Sequence, residues 1–178
     1  MSLITDDLLQ AVWQDAQTRT SDVLASADLW RHLWNKHLFA EKTFMASMQP
    51  PSKDGGRPRI NLTIKGLVGA NRGLAVLTFH EAETPTPRPE EVQELENQAS
   101  DACERYLTQN PELRIVYAFT SLGTKGRAWR FDREEACLIP LFGSEDRANL
   151  SQYVELHSSE AELIRQAVET IKATQSDN

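Results

Sequence analysis

The chain has little of the covalent or metal reinforcement that stabilises many small proteins. It contains only two cysteines, Cys103 and Cys137, which lie far apart and show neither a CxxC pattern nor a cysteine–histidine spacing. This argues against a disulfide framework and a zinc finger. We therefore expect reduced thiols in the core and a cytoplasmic or nuclear protein.

Long apolar runs and an excess of positive charge are also missing. No apolar run approaches the roughly 18 residues of a membrane span. The segment MSLITDDLLQAVWQDAQ lacks the basic and apolar regions of a signal peptide. The net charge of -7 over 178 residues argues against nucleic-acid binding by the whole surface, although a local basic face remains compatible with it. We expect one domain without a membrane partner.

Nucleotide and catalytic signature motifs are missing as well. The chain has no GxGxxG, P-loop, GxSxG or HExxH pattern. The glycine-rich segment 69–73 lies between two predicted strands and opens no helix, so it does not predict a phosphate cradle. His32 and His37 are five residues apart, and we expect them not to share a helix face as metal ligands would.

The most informative stretch consists of two strand-like runs and the polar residues that follow them. Residues 58–65 alternate apolar and polar, and residues 73–79 are almost continuously apolar, as in a strand covered on both faces. His80, Glu81 and Glu83 follow directly, where we expect the second strand to end. Such residues at a strand end can bind a ligand or a metal ion, or act in acid–base catalysis. The alternative is that they are solvated loop residues.

The remaining pattern predicts a mixed sheet flanked by helices, an α/β or α+β fold. The predicted helices are 5–18, 27–40, 89–109 and 159–174, and the further strands are 113–119, 127–131, 136–142 and 152–156. Thr5 or Asp6 would cap the first helix, and Ser26 or Asp28 the second. Helix 89–109 should connect strands 73–79 and 113–119 in a parallel crossover. We expect residues 1–48 to pack on a core formed by residues 56–174.

The helix 27–40 carries an apolar face that includes Trp30 and Trp34. A face this apolar is rarely left exposed on a monomer. It should pack on a sheet or on a second subunit, so a homodimer or another protein partner would bind through this helix.

Two groups of basic residues suggest a nucleic-acid or other phosphate-bearing partner. The first group contains Lys53, Arg57, Arg59, Lys65 and Arg72, and the second contains Lys125, Arg127, Arg130 and Arg133, with Trp129 among them. Arginines beside an exposed aromatic ring can hold phosphates and stack a base. Alternatively, Trp129 belongs to the core and the basic residues form a solvated strand face.

A strand hairpin ending in acidic residues, followed by a long helix and a strand, resembles the core of the PD-(D/E)XK nuclease-like superfamily. The C-terminal half also resembles a set of fungal proteins with that fold. The similar segments are Glu96-Asn97-Gln98-Ala99, Val116-Tyr117-Ala118-Phe119-Thr120, Gly123-Thr124 with Arg127 and Trp129, and Pro140-Leu141-Phe142. The resemblance covers roughly residues 56–172 and implies a restriction-endonuclease-like core.

The resemblance also implies a site for magnesium or manganese, held by acids at a Pro-Asp pair and at an Asp/Glu-x-Lys motif. Here the first motif reads Pro58-Arg59, and the second falls on His80-Glu81-Ala82-Glu83. An arginine therefore replaces the first acid, Glu83 occupies the lysine position, and Asn61 offers only a neutral oxygen.

These departures leave three hypotheses. In the first, the protein is a PD-(D/E)XK-like binding or interaction module that has lost nuclease chemistry and keeps a phosphate-tolerant cleft. In the second, it is a metal-dependent nuclease with a migrated active site at Glu81, Glu83 and His80, with magnesium or manganese on the two carboxylates. In the third, it is a small-molecule enzyme or effector that reuses the fold.

Overall fold

The computed structural model describes residues 1–49, 60–69 and 73–174. The helices are α1 (Asp7–Thr18), α2 (Val23–Leu33), α3 (Pro89–Gln109) and α4 (Glu162–Thr174). The strands are β1 (Phe44–Gln49), β2 (Ile60–Val68), β3 (Gly73–Glu83), β4 (Ile115–Leu122), β5 (Lys125–Asp132), β6 (Cys137–Pro140) and β7 (Val154–Glu155). A π-helical turn (Trp34–Leu38) and two 3-10 turns (Leu150–Gln152 and Ser159–Ala161) complete the described structure.

The strands form one mixed sheet in the order β1-β2-β3-β4-β5-β6, with β7 pairing with β5. β3 and β4 are parallel neighbours, whereas the other described pairs are antiparallel. The predicted parallel pairing of 73–79 with 113–119 is therefore confirmed, as is the mixed α/β character. The amphipathic helix α3 connects these two strands, as expected.

The sheet lies between two helical layers. On its first face, side chains of α1, α2 and α4 share one core with Leu62, Ile64, Tyr117 and Phe119. On its second face, α3 packs on Val116, Ala118, Trp129 and Phe131. The alternation of adjacent β4 residues between the two cores follows from the two-residue period of a strand.

The first two helices are stabilised by aspartate caps. Asp6 accepts a hydrogen bond from the Leu9 N–H at 2.9 Å, as one of the two predicted caps of α1. α2 begins earlier than predicted, because Asp22 accepts from the Leu24 N–H at 2.8 Å. The prediction of Ser26 or Asp28 as its cap was wrong.

The end of α2 widens into the π-helical turn Trp34–Leu38. Such a turn joins residues five apart instead of four, so residues at that spacing come onto one side. The rings of His32 and His37 accordingly lie 5.4 Å apart, centre to centre. The prediction that they would not share a face was wrong for this reason.

Trp30 and Trp34 are buried against the chain's own sheet, which confirms their predicted burial. The Trp30 indole N–H donates to the Gly123 carbonyl at 2.8 Å, and that of Trp34 donates to His80 Nδ1 at 2.9 Å. The aromatic face that suggested a subunit interface is therefore covered within this chain.

One strand was not anticipated. β1 was missed as a strand, although it pairs with β2 along its whole length. The two cysteines are free, as expected; Cys103 is buried on α3, whereas Cys137 on β6 is exposed and not a core thiol. None of the helices in the described ranges is long and apolar enough to cross a membrane.

Candidate functional site

Four polar residues form a row across the second face of the sheet, beneath α3. Asn61 on β2 pairs with Glu81 on β3, Glu81 pairs with Thr120 on β4, and Thr120 pairs with Arg127 on β5. Paired residues on neighbouring strands point to the same face. We call Asn61, Glu81, Thr120 and Arg127 the polar row.

Glu81, Thr120 and Arg127 are buried, and Asn61 is partly buried. β3 does not end at Phe79, as the sequence predicted, but continues to Glu83. Its last residues pair with β2 on one side and with β4 on the other. Glu81 and Glu83 are each only 4% exposed. They are therefore neither solvated loop residues nor residues after a strand end, and they share one face as expected for positions i and i+2.

His80 lies on the opposite face, within the aromatic core around Trp30, Trp34 and Phe119. Its Nδ1 accepts from the indole of Trp34, so its Nε2 carries the proton and donates to the Ser121 hydroxyl at 2.8 Å. Burial lowers the pKa of His80 to about 3, which keeps the ring neutral. The predicted catalytic grouping of His80 with the two glutamates does not form, because the sheet separates them.

In the described part of the chain, Glu81 and Glu83 do not belong to a larger cluster of metal-binding side chains. Glu83 Oε1 accepts from the Thr84 N–H at 2.8 Å. Within residues 1–49, 60–69 and 73–174, no group of three or more His, Cys, Asp and Glu side chains is arranged to hold a metal ion.

At one end of the polar row, Arg127 is fully buried next to the equally buried Glu96 of α3, with Nη1 3.8 Å from Glu96 Oε1. Arg127 also donates to the carbonyls of Ser144 and Asp146. Burial lowers the pKa of Arg127, and the Glu96 carboxylate opposes that shift. Arg127 therefore fixes the loop after β6 to the core and is not available as the predicted phosphate ligand.

Glu96 is fully hydrogen-bonded inside this network. It accepts from Arg147 Nε at 2.9 Å, from the Ala148 N–H at 2.8 Å and from the Tyr153 hydroxyl at 3.0 Å. Burial, followed by the Glu96 carboxylate, raises the pKa of Tyr153. These contacts offset much of the cost of burying the charge.

Trp129 also belongs to this buried end. Its indole N–H donates to the Thr120 hydroxyl at 2.9 Å, and the Arg127 guanidinium lies 4.1 Å from the ring centre. The alternative that Trp129 is a core residue is therefore confirmed, and base stacking on its ring is excluded by burial.

At the other end of the row, a cleft of about 360 Å³ opens between β2, β3 and α3. Its lining consists of Gln49, Asn61, Leu62, Thr63, Lys65, Val76, Phe79, Glu81, Ala102, Arg105, Tyr106 and Gln109. Lys65 and Arg105 supply two cations, and Glu81 supplies a carboxylate. Asn61 Oδ1 is buried and has no hydrogen-bond partner in the described part of the chain.

An aromatic pair forms one wall of this cleft. The rings of Phe79 and Tyr106 meet edge to face, 5.6 Å apart between centres. The Tyr106 hydroxyl accepts from the Val76 N–H at 3.0 Å, which fixes the side chain of α3 against β3. Burial raises the pKa of Tyr106, so its hydroxyl stays protonated at neutral pH.

The predicted basic groups do not form one surface. Lys65 lines the cleft, whereas Lys125 is exposed at the start of β5 and Arg130 bonds to Glu135 on the first face of the sheet. Arg133 donates to carbonyls at the end of α3 and in the following loop. Arg57 and Arg59, with the Pro58-Arg59 motif, lie outside the described residues, as do Lys53 and Arg72.

Sequence reasoning missed Glu96 and Arg105. Each carries a signal, however. Glu96 lies four positions after Val92 and three before Ala99, within the apolar stripe of α3, and this spacing predicts a buried side chain. Arg105 is the single basic residue of an otherwise acidic helix.

Comparison with known proteins adds no identification. No protein-family model matches the chain, and no curated protein matches it.

Proposed function

We propose that the protein is a ligand-binding module with a restriction-endonuclease-like core, and that the cleft between β2, β3 and α3 binds a phosphate-bearing ligand without cleaving nucleic acid. The observation that carries this proposal is the composition of the cleft. It places the cations Lys65 and Arg105 around a floor that holds one carboxylate, Glu81.

The element order supports the fold part of this proposal. The β2–β3 hairpin, the long helix α3 and the parallel strand β4 follow the order for which the chain resembles the PD-(D/E)XK superfamily. The resemblance implies that the nuclease site of that superfamily corresponds to this cleft. Asn61 faces Glu81 across the hairpin, and a neutral amide binds a hard cation more weakly than a carboxylate does.

The charges favour an anion over a metal ion. Lys65 and Arg105 attract phosphate oxygens, and an arginine can bind two of them at once. The aromatic wall of Phe79 and Tyr106 can contact a planar or apolar part of the same ligand. A ligand that combines phosphate with such a group fits this lining better than a bare cation.

Replacing the cleft cations should weaken phosphate binding. We expect Lys65→Ala and Arg105→Ala each to reduce the affinity for a nucleoside monophosphate about tenfold, since about 1.4 kcal/mol is lost with a charge-assisted contact. Isothermal titration calorimetry at low and moderate salt measures this, and binding should weaken with salt.

Lys125→Ala is the matched control, because that lysine is exposed at the start of β5, away from the cleft lining. Equal affinities in all variants, or no binding of inorganic phosphate, mononucleotide or single-stranded oligonucleotide by the wild-type protein, would refute the proposal.

A metal-dependent nuclease is the second candidate. It is favoured by one observation, namely that Glu81 and Glu83 share a face of β3 and that Asn61 lies opposite Glu81. Two carboxylates and an amide oxygen can contribute ligands to magnesium or manganese.

We expect little or no cleavage of single- or double-stranded DNA or RNA with either ion. A gel assay with Glu81→Ala, Glu83→Ala and the exposed-site control Glu90→Ala tests this. Robust cleavage that disappears in both Glu81→Ala and Glu83→Ala and persists in Glu90→Ala would establish the nuclease instead of the binding module.

A further inference from the structure

The outer edge of the sheet is closed by a side chain instead of by a strand. β1 pairs with β2 along one edge, and no strand in the described ranges pairs with its other edge. The side chain of Asn35, in the π-helical turn, lies against this edge. It accepts from the Ala46 N–H at 2.9 Å and donates to the Ala46 carbonyl at 3.3 Å.

These two bonds imitate those of a neighbouring strand. In an antiparallel pair, alternate residues direct both backbone groups toward the partner and the others direct theirs outward. Since Ala46 directs its groups to Asn35, the outward positions of β1 are those of Phe44, Ala46 and Met48. The Phe44 N–H is also occupied, because it donates to the Glu41 carbonyl at 3.1 Å.

Apart from the cover by Asn35 and the turn at Glu41, the residues of β1 give the edge no protection of their own. Its sequence, Phe-Met-Ala-Ser-Met-Gln, contains no charged residue and no proline. Exposed edges without charge, proline or a covering element readily pair with another chain. Met45 and Met48 are 47% and 38% exposed, so the strand also presents apolar side chains beside an edge with which no strand of the described residues pairs.

We propose that Asn35 keeps the protein from pairing with itself through β1, and that a second copy of β1 takes the place of Asn35 when that side chain is removed. A copy of the same strand fits because two identical antiparallel edges related by a two-fold axis satisfy each other's backbone groups. The wide π-helical turn sets the position of Asn35 over the middle of the edge, where it interrupts a continuous ladder.

The experiment compares wild-type protein with Asn35→Ala by size-exclusion chromatography with light scattering over a dilution series. The variant should form a concentration-dependent dimer that the wild type lacks under the same conditions. Adding Met48→Lys to Asn35→Ala should restore the wild-type mass, because a charged lysine on an edge strand disfavours its pairing with another chain. A folded Asn35→Ala protein whose mass matches the wild type at every concentration overturns the proposal.

Amide hydrogen exchange on the wild-type protein tests the same point without a substitution. The Ala46 amide should exchange at least about tenfold more slowly than the Met48 amide, as expected for one net hydrogen bond of the usual strength. Equal exchange of the two amides would contradict the bonds to Asn35, and with them the proposed protection of the edge, even if Asn35→Ala fails to fold.

Discussion

Replacing Arg127 with alanine should lower the free energy of unfolding by about 3–5 kcal/mol, because the buried Glu96 carboxylate then keeps only the partly exposed Arg147 as a cationic partner and the space of a fully buried side chain is emptied. The side chains of Arg127 and Glu96 are fully buried, and Arg127 also holds the carbonyls of Ser144 and Asp146. The loss should appear in chemical unfolding as a lower midpoint with an unchanged slope.

Arg130→Ala is the matched control, since Arg130 lies on the same strand, β5, and forms only a partly exposed ion pair with Glu135. We expect it to cost less than about 1 kcal/mol. The double variant Glu96→Gln with Arg127→Met should be less destabilised than the sum of the single changes, because the two residues interact directly. If Arg127→Ala is as stable as the wild type but binds the ligand more weakly, Arg127 instead has the phosphate-binding role that the sequence suggested.

Acidification should destabilise the protein through His80 already at mildly acidic pH. The pKa of His80 is lowered to about 3 in the fold and has its ordinary value of 6.5 in the unfolded chain. The neutral ring therefore contributes its full stability above pH 6.5, and this contribution is lost progressively as the pH falls toward 3. Between pH 7 and 4.5 the loss should reach about 2–3 kcal/mol.

His80→Gln tests this, because a glutamine amide can accept from the Trp34 indole and donate to Ser121 without titrating. At pH 7 we expect His80→Gln to have a lower free energy of unfolding than the wild type. The difference between the two proteins should shrink toward pH 4.5, as measured by urea unfolding at each pH. His37→Gln is the control. Burial lowers the pKa of His37 too, but Asp6 opposes the shift and the side chain is partly exposed. Parallel pH profiles for wild type and His80→Gln would show that His80 does not carry the acid sensitivity.

The acids Asp132 and Glu41 also lose stabilising interactions in acid. Backbone and side-chain hydrogen bonds lower the pKa of Asp132 and Glu41, respectively. A depressed carboxylate pKa gives stability that is lost only as the pH falls below the ordinary range near 4. A loss of stability between pH 4.5 and 7 is therefore due to His80, whereas the loss due to these carboxylates occurs at lower pH.

The sequence by itself determined the elements that depend on local pattern. The apolar runs of β3 and β4 and the amphipathic stripe of α3 predicted a parallel pair joined by a helix, since a two-residue or 3.6-residue period is written into the order of side chains. The same reasoning placed Trp30 and Trp34 in the core. It also identified Lys65 and Glu81, which line the cleft.

Only the tertiary structure decided which polar residues are buried and which of them meet. His80 and Glu81 are neighbours in sequence, yet pairing on both sides of β3 carries the strand past them and directs them to opposite faces. From the sequence, Arg127 resembles a surface cation. In the fold, the packing of α3 brings Glu96, 31 positions earlier in the sequence, beside it. Charge partners at such separations depend on strand register and helix placement, which no local pattern of residues encodes.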